Sequence, residues 1–241
     1  MRQREQLPVL HGRSIMSITH EDIQNLIYSL GGSFVGFSDV YDNLPDTLKK
    51  YRYAITFGIR LSDAIIDEID DKPTFNYFNH YRSVNTLIDQ IGLRVLLLLQ
   101  SNNYNAYTIA ASQSIPVSPV PYSGILSHKI GAVLSGQGWI GKNNLFIHRE
   151  YGPRVRLGTV LTDMVLPCGS NFPECKCSEC NKCADICPAS AIKGQPWSIG
   201  TEREELFDPK ACSEYMNKNF KHIGRGSVCG LCIRVCPFGK K

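Results

Sequence analysis

The chain has 241 residues, 43% of them hydrophobic and 20% charged, with a formal net charge of +4. These values suit a folded protein and set aside disordered, collagen-like and coiled-coil chains. The charge is too small, and too evenly mixed along the chain, to argue for nucleic acid by itself. No apolar run approaches the ~18–20 residues that cross a bilayer; the longest is Val95 to Leu99. The first residues lack the apolar core of a secretory signal. The expectation is therefore a cytoplasmic protein with no membrane contact.

Met16, followed by SITHEDIQNLI, reads as a natural start, so residues 1–15 are expected to be an extension or tag. Thr19 and Asp22 form a capping pattern ahead of Ile23, Leu26, Ile27 and Leu30, and Gly31-Gly32 closes that helix. Tyr53 to Ile59 predicts a buried strand. Phe75 to Ile91 predicts a helix with Tyr77, Tyr81, Val84, Leu87, Ile88 and Ile91 inward and Gly92 as its stop. Arg94 to Leu99 then reads as a strand.

The stretch SIPVSPVPYSG carries three prolines and must be an extended loop. A third helix is expected from about Ile125 to Leu134, broken by Gly136 and Gly138. Asn144 to His148 and Leu157 to Thr162 read as strands joined by a turn at Tyr151-Gly152-Pro153, and a hairpin between them is expected. The fold class is α+β. Periodicity ends at Pro167, which divides the chain into a cofactor-binding domain over 16–167 and a small metal-binding domain over 168–241.

All ten cysteines lie in that last part, from Cys168 onward. Without a signal peptide or a small chain, such a cluster points to metal rather than disulfides. Cys177-x2-Cys180-x2-Cys183-x3-Cys187-Pro188 is the bacterial ferredoxin run, and Cys212, Cys229-x2-Cys232-x3-Cys236-Pro237 forms a second set. Three cysteines on a tight loop reach one cubane, while the fourth, before proline, points to the other cluster. One [4Fe-4S] cluster is thus assigned to Cys177, Cys180, Cys183 and Cys236, the other to Cys187, Cys212, Cys229 and Cys232. Structural zinc also uses Cys-x2-Cys pairs but rarely repeats this run. Cys168 and Cys175 are left as spare thiols.

Gly136-Gln137-Gly138-Trp139-Ile140-Gly141 matches a dinucleotide fingerprint in letters, and Gly136 to Lys142 matches a phosphate loop. Both motifs need a preceding strand and a following helix. Here the order is reversed, and Asn143 replaces the magnesium-binding hydroxyl. A glycine-rich turn carrying Trp139, Lys142 and Asn143 suits a large flat ligand better.

SHKIGAVLSGQGWIGKNNLFI at 127–147, YGPRVRLGTVLTD at 151–163 and both cysteine sets together resemble the epoxyqueuosine reductase family, relatives of the reductive dehalogenases. The resemblance covers roughly the last half of the chain. It implies an α+β domain of nitroreductase type that binds base-off cobalamin, followed by a ferredoxin-like double-cluster domain that delivers electrons to it. It implies a reductase of a small electrophilic substrate, fed by a low-potential donor of ferredoxin or flavodoxin type. The corrin would lie against the 136–143 turn, including Gly136, Gly138, Trp139, Gly141, Lys142 and Asn143.

Two departures from the family stand out. The chain ends five residues beyond Cys236, without the helical-repeat extension of the tRNA-modifying members, and tRNA is expected to be an unlikely partner. The acidic proton donor seventeen residues before the tryptophan is replaced by Tyr122, and the arginine seven residues later by Lys129. Tyr122 beside Lys129 is the expected proton-donating pair, as in the dehalogenases. Ser112 and Gln113 are expected polar contacts to the cofactor. His128 is expected to pack or to touch a corrin amide. Two other readings stay open: an electron-transfer protein serving a partner, and a flavin-binding reductase.

Overall fold

The computed structural model describes residues 18–112, 122–169, 174–224 and 228–240. The 1–15 extension, Gln113 and most of the proline-rich stretch lie outside the described residues. In chain order the elements are α1 (His20–Ser29), β1 (Phe34–Asp39), β2 (Tyr53–Arg60), α2 (Asp63–Asp67), α3 (Phe75–Ser101), β3 (Ala106–Ile109) and α4 (His128–Leu134). There follow β4 (Gly138–Ile140), β5 (Phe146–His148), β6 (Val155–Thr162), α5 (Lys182–Asp185), α6 (Arg203–Leu206), α7 (Pro209–Phe220) and α8 (Leu231–Arg234).

The Thr19 cap forms as its spacing predicts. Its hydroxyl accepts from the Asp22 backbone, the Asp22 carboxylate accepts from the Thr19 backbone, and Ile23 and Ile27 are buried beneath. β2 also forms where expected.

The predicted break at Gly92 does not occur. α3 runs straight through Gly92 and through the segment expected as a strand. Its buried positions keep stepping by three and four through Ile88, Ile91, Val95 and Leu99, which is helical spacing. The leucines there are good helix formers, and one interior glycine costs only ~1 kcal/mol. Gly92 faces Thr108 and Val160, where helix and sheet meet.

Four strands form one antiparallel sheet in the order β1-β2-β6-β3. The register pairs Thr56 with Thr159 and Phe57 with Gly158. Ile88 of α3 packs beside Phe57 and Gly158 on one face, while α4 brings Gly131 against Thr56 on the other. The expected hairpin is corrected: β5 pairs with β4 in a separate two-stranded ribbon, and β6 is a central strand of the large sheet. β6 reads Val-Arg-Leu-Gly-Thr-Val-Leu-Thr and is almost wholly buried, as a strand covered on both faces should be.

The cysteine-bearing part is docked on this body. Val228, Leu231 and Ile233 share one apolar cluster with Ile66, Ile69 and Tyr77. One geometric feature positions the site. β3 pairs only with Thr159 to Thr162 of β6, so the edge of β6 at residues 155–158 is left open on that side.

Candidate functional site

The structure brings the cysteines together in two groups. Cys177, Cys180, Cys183 and Cys236 line one small cavity with Lys142, Asn143 and Phe238. Cys187, Cys212, Cys229 and Cys232 form the second group: the charges of Cys229 and Cys187 act on Cys212, and those of Cys229, Cys212 and Cys187 act on Cys232. α5 and α8 pack together, which brings Cys183 beside Cys232 and Cys236. α7, with Asp208 capping it, supplies Cys212, which lies outside both closely spaced cysteine runs.

Burial pushes the Cys212 thiol up to about 12 and the Cys236 thiol to about 11, and raises Cys232 well above its ordinary value. Thiolates at these positions need cationic charge beside them, which iron supplies. Among the described residues, no three His, Cys, Asp or Glu side chains close on a single-ion position. The donor set is all sulfur in two groups of four, which fits two clusters. Cys168 is exposed and donates to the Leu166 carbonyl, away from both groups. Cys175 packs beside Trp139 and Cys236.

The glycine-rich turn serves the ribbon and the first cysteine set. Gly136 follows α4, and Gly138 lies in β4 so close to the Ile147 carbonyl that any side chain would collide with it. Gly141 likewise lies against Asn143 and Ile147. Lys142 is buried and donates to Asn181 Oδ1 at 3.1 Å, and Asn143 Nδ2 reaches the Cys232 carbonyl at 3.4 Å. Trp139 packs with Ile147 and Cys236, its ring edge-on to Phe238 at 5.1 Å. Of the residues expected to meet a corrin, Lys142 and Asn143 line the small cavity with the cysteines, while the neighbouring Ile140, Asn144 and Leu145 line the large cavity.

That cavity, of about 1010 Å³, fills the open edge of β6. Its walls come from α3, residues 107–112, residues 122–130, β6 and residues 197–209, with Ile233 beside Cys232. Its size is at the upper end of ordinary ligand pockets, ~300–1,000 Å³. Phe57, Ile88, Leu126 and Leu157 give it apolar surface.

Of the expected site residues, Ser112, Tyr122, His128 and Lys129 all line this cavity. Tyr122 and Lys129 are not joined in the way the spacing suggested. Tyr122 stands at the rim, 44% exposed, and its carbonyl accepts from Arg203. Lys129 Nζ donates instead to the carbonyl and side-chain oxygens of Asn144, at 2.7 and 2.9 Å. Burial pulls its pKa down to about 8, with Arg203 adding to the effect.

His128 is a structural histidine. Nε2 bonds the Ala110 carbonyl at 3.0 Å, which makes it the protonated nitrogen, and Nδ1 accepts from Thr159 Oγ1 at 2.9 Å. Burial holds its pKa down to about 4. With both nitrogens engaged it cannot ligate cobalt, and its expected contact with a cofactor is limited to its ring.

The structure adds a group that sequence reasoning missed. Arg156 donates to Asn85 Oδ1 at 2.9 Å and to the Tyr81 hydroxyl at 3.1 Å, and Tyr81 also bonds Ser112. Burial alone would raise the Tyr81 phenol. The Arg156 charge and the bonds from Ser112, Asn85 and Arg156 outweigh burial and hold its pKa below the ordinary value. The one available signal was Arg156 itself, an arginine alternating with apolar residues in a buried strand.

A family model for a 4Fe-4S double cluster binding domain matches residues 176–239. All eight assigned cysteines fall within it. Among curated proteins, the chain is 37% identical over 125 residues to the epoxyqueuosine reductase of Atelocyanobacterium thalassa, covering 49% of this chain and 39% of that protein. It is 34% identical over 117 residues to the tetrachloroethene reductive dehalogenase of Sulfurospirillum multivorans, covering 45% and 23%. The chain thus matches well under half the length of these relatives.

Two solved structures share the fold. One is a reductive dehalogenase described as suggesting a mechanism for B12-dependent dehalogenation, with a TM-score of 0.72, 17% identity, and cover of 92% of this chain and 32% of that one. The other is an epoxyqueuosine reductase with an epoxyqueuosine-modified tRNA stem loop, with a TM-score of 0.56, 18% identity, and cover of 90% and 64%. The relatives are reductases by name, and the expectation that tRNA is an unlikely partner finds no support among them. Among the described residues, no helix is long and apolar enough to cross a membrane.

Proposed function

We propose that this chain is an iron-sulfur, cobalamin-dependent reductase acting on an electrophile bound in the large cavity. One observation carries the reading. A cavity of about 1010 Å³, walled by apolar and hydrogen-bonding side chains, reaches Ile233, the chain neighbour of Cys232 in the second cysteine group.

Two [4Fe-4S] clusters would be held by Cys177, Cys180, Cys183 and Cys236, and by Cys187, Cys212, Cys229 and Cys232. The cavity fits a broad, partly apolar ring with amide edges. His128, with both nitrogens hydrogen-bonded, would offer only its ring to a bound corrinoid. When bound, clusters and corrinoid supply low-potential, one-electron reducing power.

The chain's own residues supply binding and protons. Tyr81 holds a proton at its hydroxyl inside the cavity, and Arg156 stabilises the phenolate left behind when that proton moves to the reduced substrate. Tyr122, at the rim with Lys129 on the same wall, is a second phenol lining the cavity. Lys129 and Arg156 have no carboxylate partner among the described ion pairs, although Asp89, Glu202 and Glu204 also line the cavity, so its charge is mixed. We assign residues 16–167 to the cofactor domain and 168–241 to the cluster domain. The electron donor would be a low-potential ferredoxin or flavodoxin.

The test is reductive turnover by the anaerobic holoprotein with a low-potential donor, with and without added cobalamin. The panel holds a halogenated hydroxybenzoate, tetrachloroethene and an epoxyqueuosine-modified tRNA stem loop. Cobalamin-dependent turnover of any of them supports the reading, and the reactive member names the substrate class. Flavin released on denaturation, or reduction of a partner protein with cobalamin irrelevant, would overturn it.

A further inference from the structure

The turn at 136–143 carries one group that neither the ribbon nor the cavity uses. Trp139 is 2% exposed, and its indole Nε1 is buried with no hydrogen-bond partner. An unpaired buried N–H is destabilising, and natural proteins seldom leave one without an acceptor. Cys177 Sγ lies against this indole N–H and against the backbone N–H of Lys142. Cys236, from the far end of the same cysteine set, packs on the same ring.

The orientation of the indole is fixed on every side. β4 and β5 pair Trp139 with Ile147, Phe238 stands edge-on at 5.1 Å, and Lys176 Nζ lies 5.8 Å over the ring. Replacing the protons of these thiols with iron turns the sulfurs into anionic acceptors, which form stronger hydrogen bonds than neutral ones.

We propose that Trp139 is a tuning residue, donating its indole N–H to a sulfur of the cluster held by Cys177, Cys180, Cys183 and Cys236. This rests on the cluster assignment above. Reduction adds negative charge to the cluster, so a donor aimed at its sulfur favours the reduced form and raises its potential. The glycine-rich segment then has a redox role: its tight ribbon delivers a tryptophan edge to the cluster through a gap that no bulkier backbone would allow.

The experiment is a redox titration of anaerobic holoprotein followed by electron paramagnetic resonance, for wild type and Trp139→Phe. The cluster that disappears in Cys180→Ser should titrate lower in Trp139→Phe. The expected change is about tenfold in its reduction equilibrium, or about 59 mV for one electron. The other cluster should not move, and serves as the internal reference. An unmoved first cluster overturns the proposal, as does an equal shift of both.

If Trp139→Phe does not hold its cluster, 5-fluorotryptophan in a Trp197→Phe background keeps the ring and makes the N–H a stronger donor. The potential should then rise, and no change overturns the proposal. Wild-type protein lacking about eight irons would refute the cluster assignment itself, a result distinct from either of these.

Discussion

Arg156 donates from Nη2 to the hydroxyl of Tyr81 at 3.1 Å, and its guanidinium carbon also lies 4.3 Å from the centre of the same ring. Phenol and cation are thus held in one geometry, 75 positions apart in the chain, at the open edge of β6. An Arg that both bonds and stacks on a Tyr favours its phenolate, which makes the phenol a better acid.

From this follows a comparison of two tyrosines. Tyr81→Phe should lower turnover about 10²-fold or more, the usual contribution of a positioned acid, with iron content unchanged. Tyr122→Phe, at the exposed rim, should cost less than about tenfold. The reverse order would return the proton-donating role to Tyr122 and Lys129.

The cysteine assignment predicts a selective loss of iron. Cys180→Ser should remove one cluster and Cys229→Ser the other, each taking the iron count from about eight toward about four per chain. Cys212→Ser should behave as Cys229→Ser, although Cys212 lies far from the second run. Cys168→Ser should keep the full count. Iron and sulfide analysis of the four variants decides the matter.

Much of this was legible in the sequence because it is local. The Thr19 cap, the β2 strand and the spacing of the two cysteine runs depend on neighbours within a few positions. What was not legible depends on partners far away. Gly92 reads as a helix stop until α3 is seen packed on β3 and β6, which hold the helix together across it. β1 and β3 were missed because their pairing with β2 and β6, not their own pattern, makes them strands. The packing of Trp139 on Cys236 was not legible because the letters GQGWIG cannot say which surface the turn faces. The Tyr81–Arg156 pair had no signal at all in spacing.

His128 gives a pH dependence of defined sign. Burial lowers its folded pKa to about 4 from the ordinary 6.5, while Arg156 and Asp89 act on it with opposite signs. The unfolded chain therefore binds the proton more readily. The stability this neutral histidine contributes is complete above pH 6.5 and is lost as pH falls toward 4. His128→Gln should show a smaller fall in melting temperature between pH 7 and pH 5 than wild type. His148 is also held to about 4 by burial, so some acid sensitivity should persist in the variant.

Gly152 tests how the cysteine half is docked. Its φ is +57°, and a Cβ there would lie 2.1 Å from the Phe238 carbonyl oxygen. Gly152→Ala should destabilise the protein by about 1–3 kcal/mol. It should loosen the cluster that includes Cys236 before the one that includes Cys187. Thermal unfolding read alongside iron release would show the order, and release of both clusters together would contradict it.

The corrinoid proposed for the large cavity beside two clusters is open to a single titration. Protein purified without oxygen, with iron and sulfide measured, is titrated with cobalamin while its visible spectrum is followed. The expected result is about eight irons per chain and saturable binding with the spectrum of a base-off corrinoid. The same iron content with no spectral change on adding cobalamin would contradict it and leave an electron-transfer protein.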